Sequence, residues 1–295
     1  MTELRPRCAC CAMSRRVVLR AGVGLGLAVA APVALAREGV EVGPPSIASK
    51  LVPAEQVERA ASGQYRQLLA QARAQRALAP EGHPQMQRLR TVAGRLIPHS
   101  EEWNRRARDW SWEVHLIGSK QINAFCMPGG KIVFYSGLLE RLQLDDDELA
   151  MIMGHEMAHA LREHAREQIG KRAGTRVAIE LGAAIFGLGS GGRLLADMGG
   201  QLLNLQFGRD DEREADLIGL ELAARAGYDP RAGVTLWQKM GQASQRQSIE
   251  FLSTHPSGDT RIQGIRAAIP EVAGLYARAD KPPRRFGPPA PTAPR

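Results

Sequence analysis

The chain has 295 residues, a formal charge of +8 and an ordinary apolar share of 44%, enough for one substantial folded domain with extensions. Without residues 1–36, which hold five Arg and one Glu, 34 basic residues face 30 acidic ones, about +4; no basic patch is interleaved with aromatics, which argues against nucleic acid as a partner. Only 5% of residues are aromatic while Ala, Leu, Gln and Arg abound, the composition of a mostly helical fold.

The N-terminus reads as an export signal. Ser14-Arg15-Arg16 precedes the apolar run "AGVGLGLAVAAPVALA" (21–36), which closes on the small-x-small triplet Ala34-Leu35-Ala36. The paired arginines resemble a twin-arginine signal, with a general secretory signal as the alternative and Met13 as an alternative start. Cleavage is expected after Ala36, and an uncleaved signal would instead anchor the chain to the membrane. Cys8, Cys10 and Cys11 fall in this segment, which leaves Cys126 alone and the mature chain without an intramolecular disulfide.

A linker at 37–53 leads into a domain expected over 54–270. Amphipathic periodicity predicts two helices either side of Pro80–Pro84, in "PAEQVERAASGQYRQLLAQARAQRAL" and "HPQMQRLRTVAGRLIPHS". "WSWEVHLIG" (110–118) alternates as a strand does, and "INAFCMPGGKIVFYSGLL" (122–139) reads as strand, Pro-Gly-Gly turn, strand. Asp145–Asp147 open a helix that should run to about Lys171. Residues 175–208 are apolar and glycine-rich, yet Glu180, Arg193 and Asp197 interrupt them and argue against a membrane span. A helix should cover about Arg209–Ala226, and Asp229-Pro230 should cap the next. The Pro-rich basic stretch 271–295 reads as a disordered tail.

The chemistry concentrates in "MGHEMAHALREH" (153–164). His155 and His159, four apart on a helix, project from one face, where each can give a ring nitrogen to one Zn²⁺. Glu156 lies between them, angled toward a metal-bound water whose proton it can take. The surrounding "LAMIMGHEMAHAL" is apolar on nearly every side, so unpaired histidines there would be costly. Arg162 and Ala165 stand where a three-histidine site would need Gly and His, and His164 is one position off, so it reads as an outer or surface residue. The third ligand is better sought in "RDDEREADLIG" (209–219), where Glu212 and Asp216 are four apart. Glu212 could bind the metal and Asp216 accept the free ring N–H of a ligating histidine. Asp210, Asp211 and Glu214 compete for that assignment as residues of a solvated face, and periodicity does not rank them.

H-E-x-x-H followed some fifty residues on by E-x-x-A-D-x-x-G resembles the zinc endopeptidases related to HtpX and the CAAX prenyl protease, especially their single-domain periplasmic branch. "NAFCMPGGKIVFYSGLL" and "STHPSGDTRI" match in order as well, so the resemblance spans about 85–270. It implies an α+β, mainly α, gluzincin-like fold with a small β-sheet beside the active-site helix. It selects Glu212 as third ligand to one zinc per chain, Asp216 behind a ligating histidine and Glu156 as general base. It further implies that His255 caps the zinc as a removable fourth ligand and that Arg261 stabilises the oxyanion. Asn123, Ala124 and Phe125 would offer an edge strand to which a peptide substrate adds, and Cys126 would be a buried small hydrophobe. The expected function is zinc-dependent endopeptidase action on unfolded or misassembled envelope proteins in the periplasm or outside the cell, with peripheral membrane association an option. A zinc-containing assembly factor or chaperone that binds such proteins and rarely cuts is the alternative.

Overall fold

The apolar run Lys131–Tyr135 becomes the middle strand of a three-stranded sheet in the computed structural model, which describes residues 37–172, 205–246, 248–256 and 258–289. The export signal and most of the glycine-rich segment (175–204 of it) lie outside the described residues. Strands β1 (Glu113–Ile117), β2 (Ala124–Met127) and β3 (Lys131–Tyr135) follow the order β1-β3-β2, with β1 parallel and β2 antiparallel to β3. Ile132, Val133 and Phe134 are fully buried because both faces of the middle strand are covered. Helix α1 (Ala54–Ala74) brings the stripe Ala61, Tyr65, Leu69 and Ala72 against Val133. On the other face lie α2 (Pro84–Leu96), capped by the His83 side chain with Pro84 as its first residue, and α4 (Asp146–Leu161). The Pro128-Gly129-Gly130 turn needs its glycines: Gly130 has φ +77°, and a Cβ there would stand 2.7 Å from the Trp112 ring. This leaves β2 at the sheet edge, beside α4.

A short α3 (Ser136–Leu142) leads to the central helix α4 (Asp146–Leu161). Asp145 and Glu148 cap each other reciprocally at 2.8 and 3.0 Å, and nearly every later residue of α4 is buried. A helix this apolar all round is stable only when enclosed. Its main neighbour is α6 (Arg209–Arg225); the two cross where a Cβ on Gly154 would lie 2.8 Å from Gly219 O. Helices α7 (Ala232–Ser244), α8 (Glu250–Thr254) and α9 (Asp259–Arg278) complete the core. No helix among the described residues is long and apolar enough to cross a membrane.

The structure departs from the sequence reading in four places. The helix expected to run to about Lys171 breaks after Leu161: Glu163 adopts a left-handed φ of +59°, and a separate helix, α5 (164–172), begins at His164. The linker at 37–53 is a packed strap, with Val40 in the core and its N–H donating 2.8 Å to the buried Glu221, and Arg162 and Arg166 donating to the carbonyls of Gly43 and Val52. The boundary at 270 falls inside α9, whose buried stripe Ile265, Ala268, Val272 and Leu275 carries it past Pro270, which is exposed, so the carbonyl it frees meets water. Residues 279–289 then pack on the domain rather than trail from it, with Pro282 and Pro289 buried. Finally, Asp229 does accept from the Arg231 N–H at 2.9 Å, but α7 proper starts at Ala232.

Candidate metal centre

Four donors from three elements converge. His155 and His159 come from α4, Glu212 from the first turn of α6, and His255 from the end of α8. Their ligand atoms all lie within 4.8 Å of one another, and all four residues are buried. His155 Nε2 is 3.1 Å from His159 Nε2, 3.3 Å from His255 Nδ1 and 3.6 Å from Glu212 Oε2; Glu212 Oε1 is 2.9 Å from His255 Nδ1 and 3.5 Å from His159 Nε2. Donors about 2.0–2.1 Å from one tetrahedral ion are roughly 3.3 Å apart, so this spacing fits a zinc-sized cation. Two neutral imidazole lone pairs 3.1 Å apart repel unless something positive lies between them. Among the described residues Glu156 Oε1 is buried without a hydrogen-bond partner, as an oxygen waiting for a water would be. The residues fit the group.

Aromatic side chains hold the rings in place. Phe207 stacks on His159 at 4.0 Å between centroids and Phe251 on His255 at 4.4 Å. The lid residue is fixed through α8, where Phe251 N–H donates to Ile122 O at 3.1 Å and Glu250 accepts from Ile122 N–H at 3.1 Å, tying α8 to the approach to β2.

Burial dominates the protonation states. It lifts the Glu156 carboxyl to about 7, with nearby His255 pulling the other way. It pushes His155 down against the opposing Asp216 bond, and His159 well down with the help of the neighbouring histidines. Both rings are thereby kept as neutral, metal-competent imidazoles. Burial also works on His255, yet Glu156 and Glu212 beside it win and raise it. Asp216 stays below the usual carboxylate range because Arg261 and His155 outweigh its burial.

The structure places the expected residues as follows. Asp216 Oδ1 lies 3.1 Å from His155 Nδ1, the outer bond anticipated for it. Asn123, Ala124 and Phe125 line, with Glu156, His159, Phe207 and His255, a narrow cleft of about 50 Å³ along β2. Arg261 is elsewhere. Its guanidinium grips Asp216 at 2.6 and 2.7 Å, sits 2.5 Å from Glu212 Oε2 and 3.1 Å from Pro256 O, and lies 3.6 Å over the Trp237 ring. A planar cation between two carboxylates binds them before it reaches toward a cleft. Arg261 therefore braces the ligand helix and the lid loop rather than facing the β2 cleft. Cys126 is buried in β2, and burial keeps its thiol well above the ordinary range.

The sequence left His164 as an outer or surface residue, and the structure makes it an outer one. His164 is 1% exposed, not a surface residue, with Nδ1 2.9 Å from His159 Nδ1 and Nε2 2.9 Å from Glu214 Oε2. Glu214, taken for a solvated-face residue, also accepts from Arg162 at 2.6 Å. The signal was present in the third histidine of the motif, but only the break after Leu161 turns it inward.

A helix-borne His-Glu-x-x-His pair closed by a glutamate from a second helix defines a metallopeptidase. The chain belongs to peptidase family M48, whose family model matches residues 84–269. It is 41% identical over 158 residues to the mitochondrial metalloendopeptidase OMA1 of Arabidopsis thaliana, covering 54% of this chain and 32% of the relative. It is 31% identical over 190 residues to the β-barrel assembly-enhancing protease of Yersinia pestis, covering 61% and 38%. It is 30% identical over 192 residues to the metalloprotease LoiP of Escherichia coli, covering 64% and 72%. The chain spans from about a third to a little over half of the first curated relatives it matches, 32% and 56% for two OMA1 proteins.

Proposed function

We propose that this protein is a zinc endopeptidase of the cell envelope, in the single-domain periplasmic branch of its family, exported by its N-terminal signal and acting on unfolded or misassembled envelope proteins. The observation that carries the reading is the convergence of His155, His159 and Glu212 within 3.1–3.6 Å, with the partnerless oxygen of Glu156 beside them. Zinc held by these three ligands would polarise the scissile carbonyl and acidify a water. Glu156 takes the water's proton and returns it to the leaving amine, a task suited to a carboxyl lifted to about 7. The outer edge of β2 at Asn123–Phe125, unpaired among the described residues, receives the substrate main chain as an added strand, which favours extended, unfolded polypeptide over folded protein. The relative named for enhancing β-barrel assembly supports the envelope reading.

His255 lies in the same donor cluster and is 3% exposed, which supports its role as a latch on the remaining zinc position. That burial favours a second reading, a four-coordinate and therefore structural zinc in a protein that binds envelope proteins without cutting them. Degradation of casein by the mature chain carrying His255→Ala separates the two. Cleavage that falls at least about a hundredfold when Glu156→Gln is added supports the protease. Zinc-loaded His255→Ala protein that leaves casein intact supports the binding factor.

A further inference from the structure

We infer that His164 and Glu214, anchored by Arg162, are the positioning residues of His159, forming an outer chain that orients this ligand as Asp216 and Arg261 orient His155. The inference rests on the zinc reading above. Its geometry starts at the helix break. In an unbroken helix residues 159 and 164 would point about 140° apart. Glu163 instead adopts a left-handed φ of +59°, a conformation that glycine takes freely and glutamate does not, and the turn brings His164 beneath His159. Strain of this kind persists where the surrounding contacts require it. Here those contacts are the 2.9 Å approach of the two Nδ1 atoms, the 2.9 Å bond to Glu214 and the 2.6 Å grip of Arg162 on the other Glu214 oxygen. Arg162 also donates to Gly43 O at 2.6 Å, which fixes the chain's outer end to the strap.

The direction of every bond follows from both ends. An ionised Glu214 can only accept, so His164 donates to it from Nε2–H. The Nδ1 of a neutral His164 is then an acceptor, and His159 must donate to it from Nδ1–H. That leaves the lone pair of His159 on Nε2, the nitrogen that faces His155 and Glu212. The chain therefore sets both the tautomer and the ring plane that the metal requires. On the other ligand the same logic runs from His155 Nδ1 to Asp216 at 3.1 Å and on to Arg261 at 2.6 Å.

The test measures zinc affinity of the full chain by competition with a chromophoric chelator, alongside the ¹⁵N and downfield ¹H signals of His159 in zinc-loaded protein labelled at histidine. His164→Leu should bind zinc 10–100-fold more weakly and lose the protected His159 Nδ1–H signal. His164→Asn, whose amide oxygen can occupy the acceptor position of Nδ1, should recover most of both. If His164→Leu does not fold, Glu214→Gln, which keeps the packing, is measured instead and should weaken zinc and broaden the same signal. Affinity within about threefold of wild type with an unchanged His159 signal would overturn the inference. Wild-type protein that binds no zinc would overturn the reading beneath it, a result separate from the first.

Discussion

Glu156 occupies a place where a carboxylate is least at home, 2% exposed and with one oxygen unpartnered. Burial holds its carboxyl at about 7 against an ordinary 4.5. Between those values folded, metal-free protein keeps a proton that unfolded protein has released, so this group's contribution is complete below about pH 4.5 and is lost as pH rises through about 7. At 1.36 kcal/mol per unit the loss approaches ~3 kcal/mol. Urea unfolding of metal-free wild type and Glu156→Gln should therefore show the variant gaining on wild type from pH 5 to pH 8, and parallel profiles would sink the idea. At this scale much of the site was legible. His155, Glu156 and His159 declare themselves because two histidines flanking a glutamate at helical spacing have few other uses. Glu212 did not separate from Asp210, Asp211 and Glu214 by spacing, since a helix's period says which residues share a face but not which face meets a partner. The contact of His164 with His159 stayed hidden because no glycine or proline marks the turn at Glu163, and the grip of Arg261 on Asp216 and Glu212 was not legible because a motif gives a residue's address and not the direction of its side chain.

The elements meet closely enough that a single methyl group decides the centre. Where α4 crosses α6, Gly154 faces Gly219, and a Cβ on Gly219 would lie 2.7 Å from His155 N and 3.0 Å from its Cα. The obstruction is backbone, so it cannot swing aside as a flexible side chain would. Gly219→Ala should push the helices apart, costing about 1–3 kcal/mol by overpacking. It should also withdraw Glu212, seven residues earlier on the same helix, from the histidines of α4. Zinc affinity should thus fall together with thermal stability, measured by chelator competition and calorimetry on one preparation. Full zinc affinity in a destabilised Gly219→Ala protein would show that Glu212 is placed by its own turn and not by the crossing. The expected strands and helices largely match the elements observed, because alternation, Pro-Gly-Gly and the acidic first turn of α4 are local signals. The crossing was not visible, since glycines in a helical run read only as weak helix formers until the partner helix is known.

Taken as a whole, the molecule binds its core with two irregular segments, the strap at 38–52 and the tail at 279–289. Composition alone reads Pro-rich basic sequence as tail; a handful of specific contacts make it structure instead. Arg285 pairs with Asp147 at 2.7 Å and lies 5.2 Å over the Tyr228 ring, while Phe286 N–H donates to Asp146 Oδ2 at 2.7 Å. Asp146 in turn holds the fully buried Arg88 at 2.5 Å, so the tail caps a buried ion pair at the first turn of α4. Ending the chain at Ala279 exposes that pair to water and releases the burial of Pro282. The loss should be about 1–3 kcal/mol, from one or two hydrogen bonds and modest apolar area, or a fall in Tm of roughly 3–8 °C. Zinc affinity should stay within about threefold of full length, because His155 lies nine residues along α4 from Asp146, about 14 Å away. Calorimetry and chelator competition on the truncated chain test both halves. An unchanged Tm would make the tail an ornament, whereas a loss of zinc without a loss of stability would mean that the tail acts on the centre through α4.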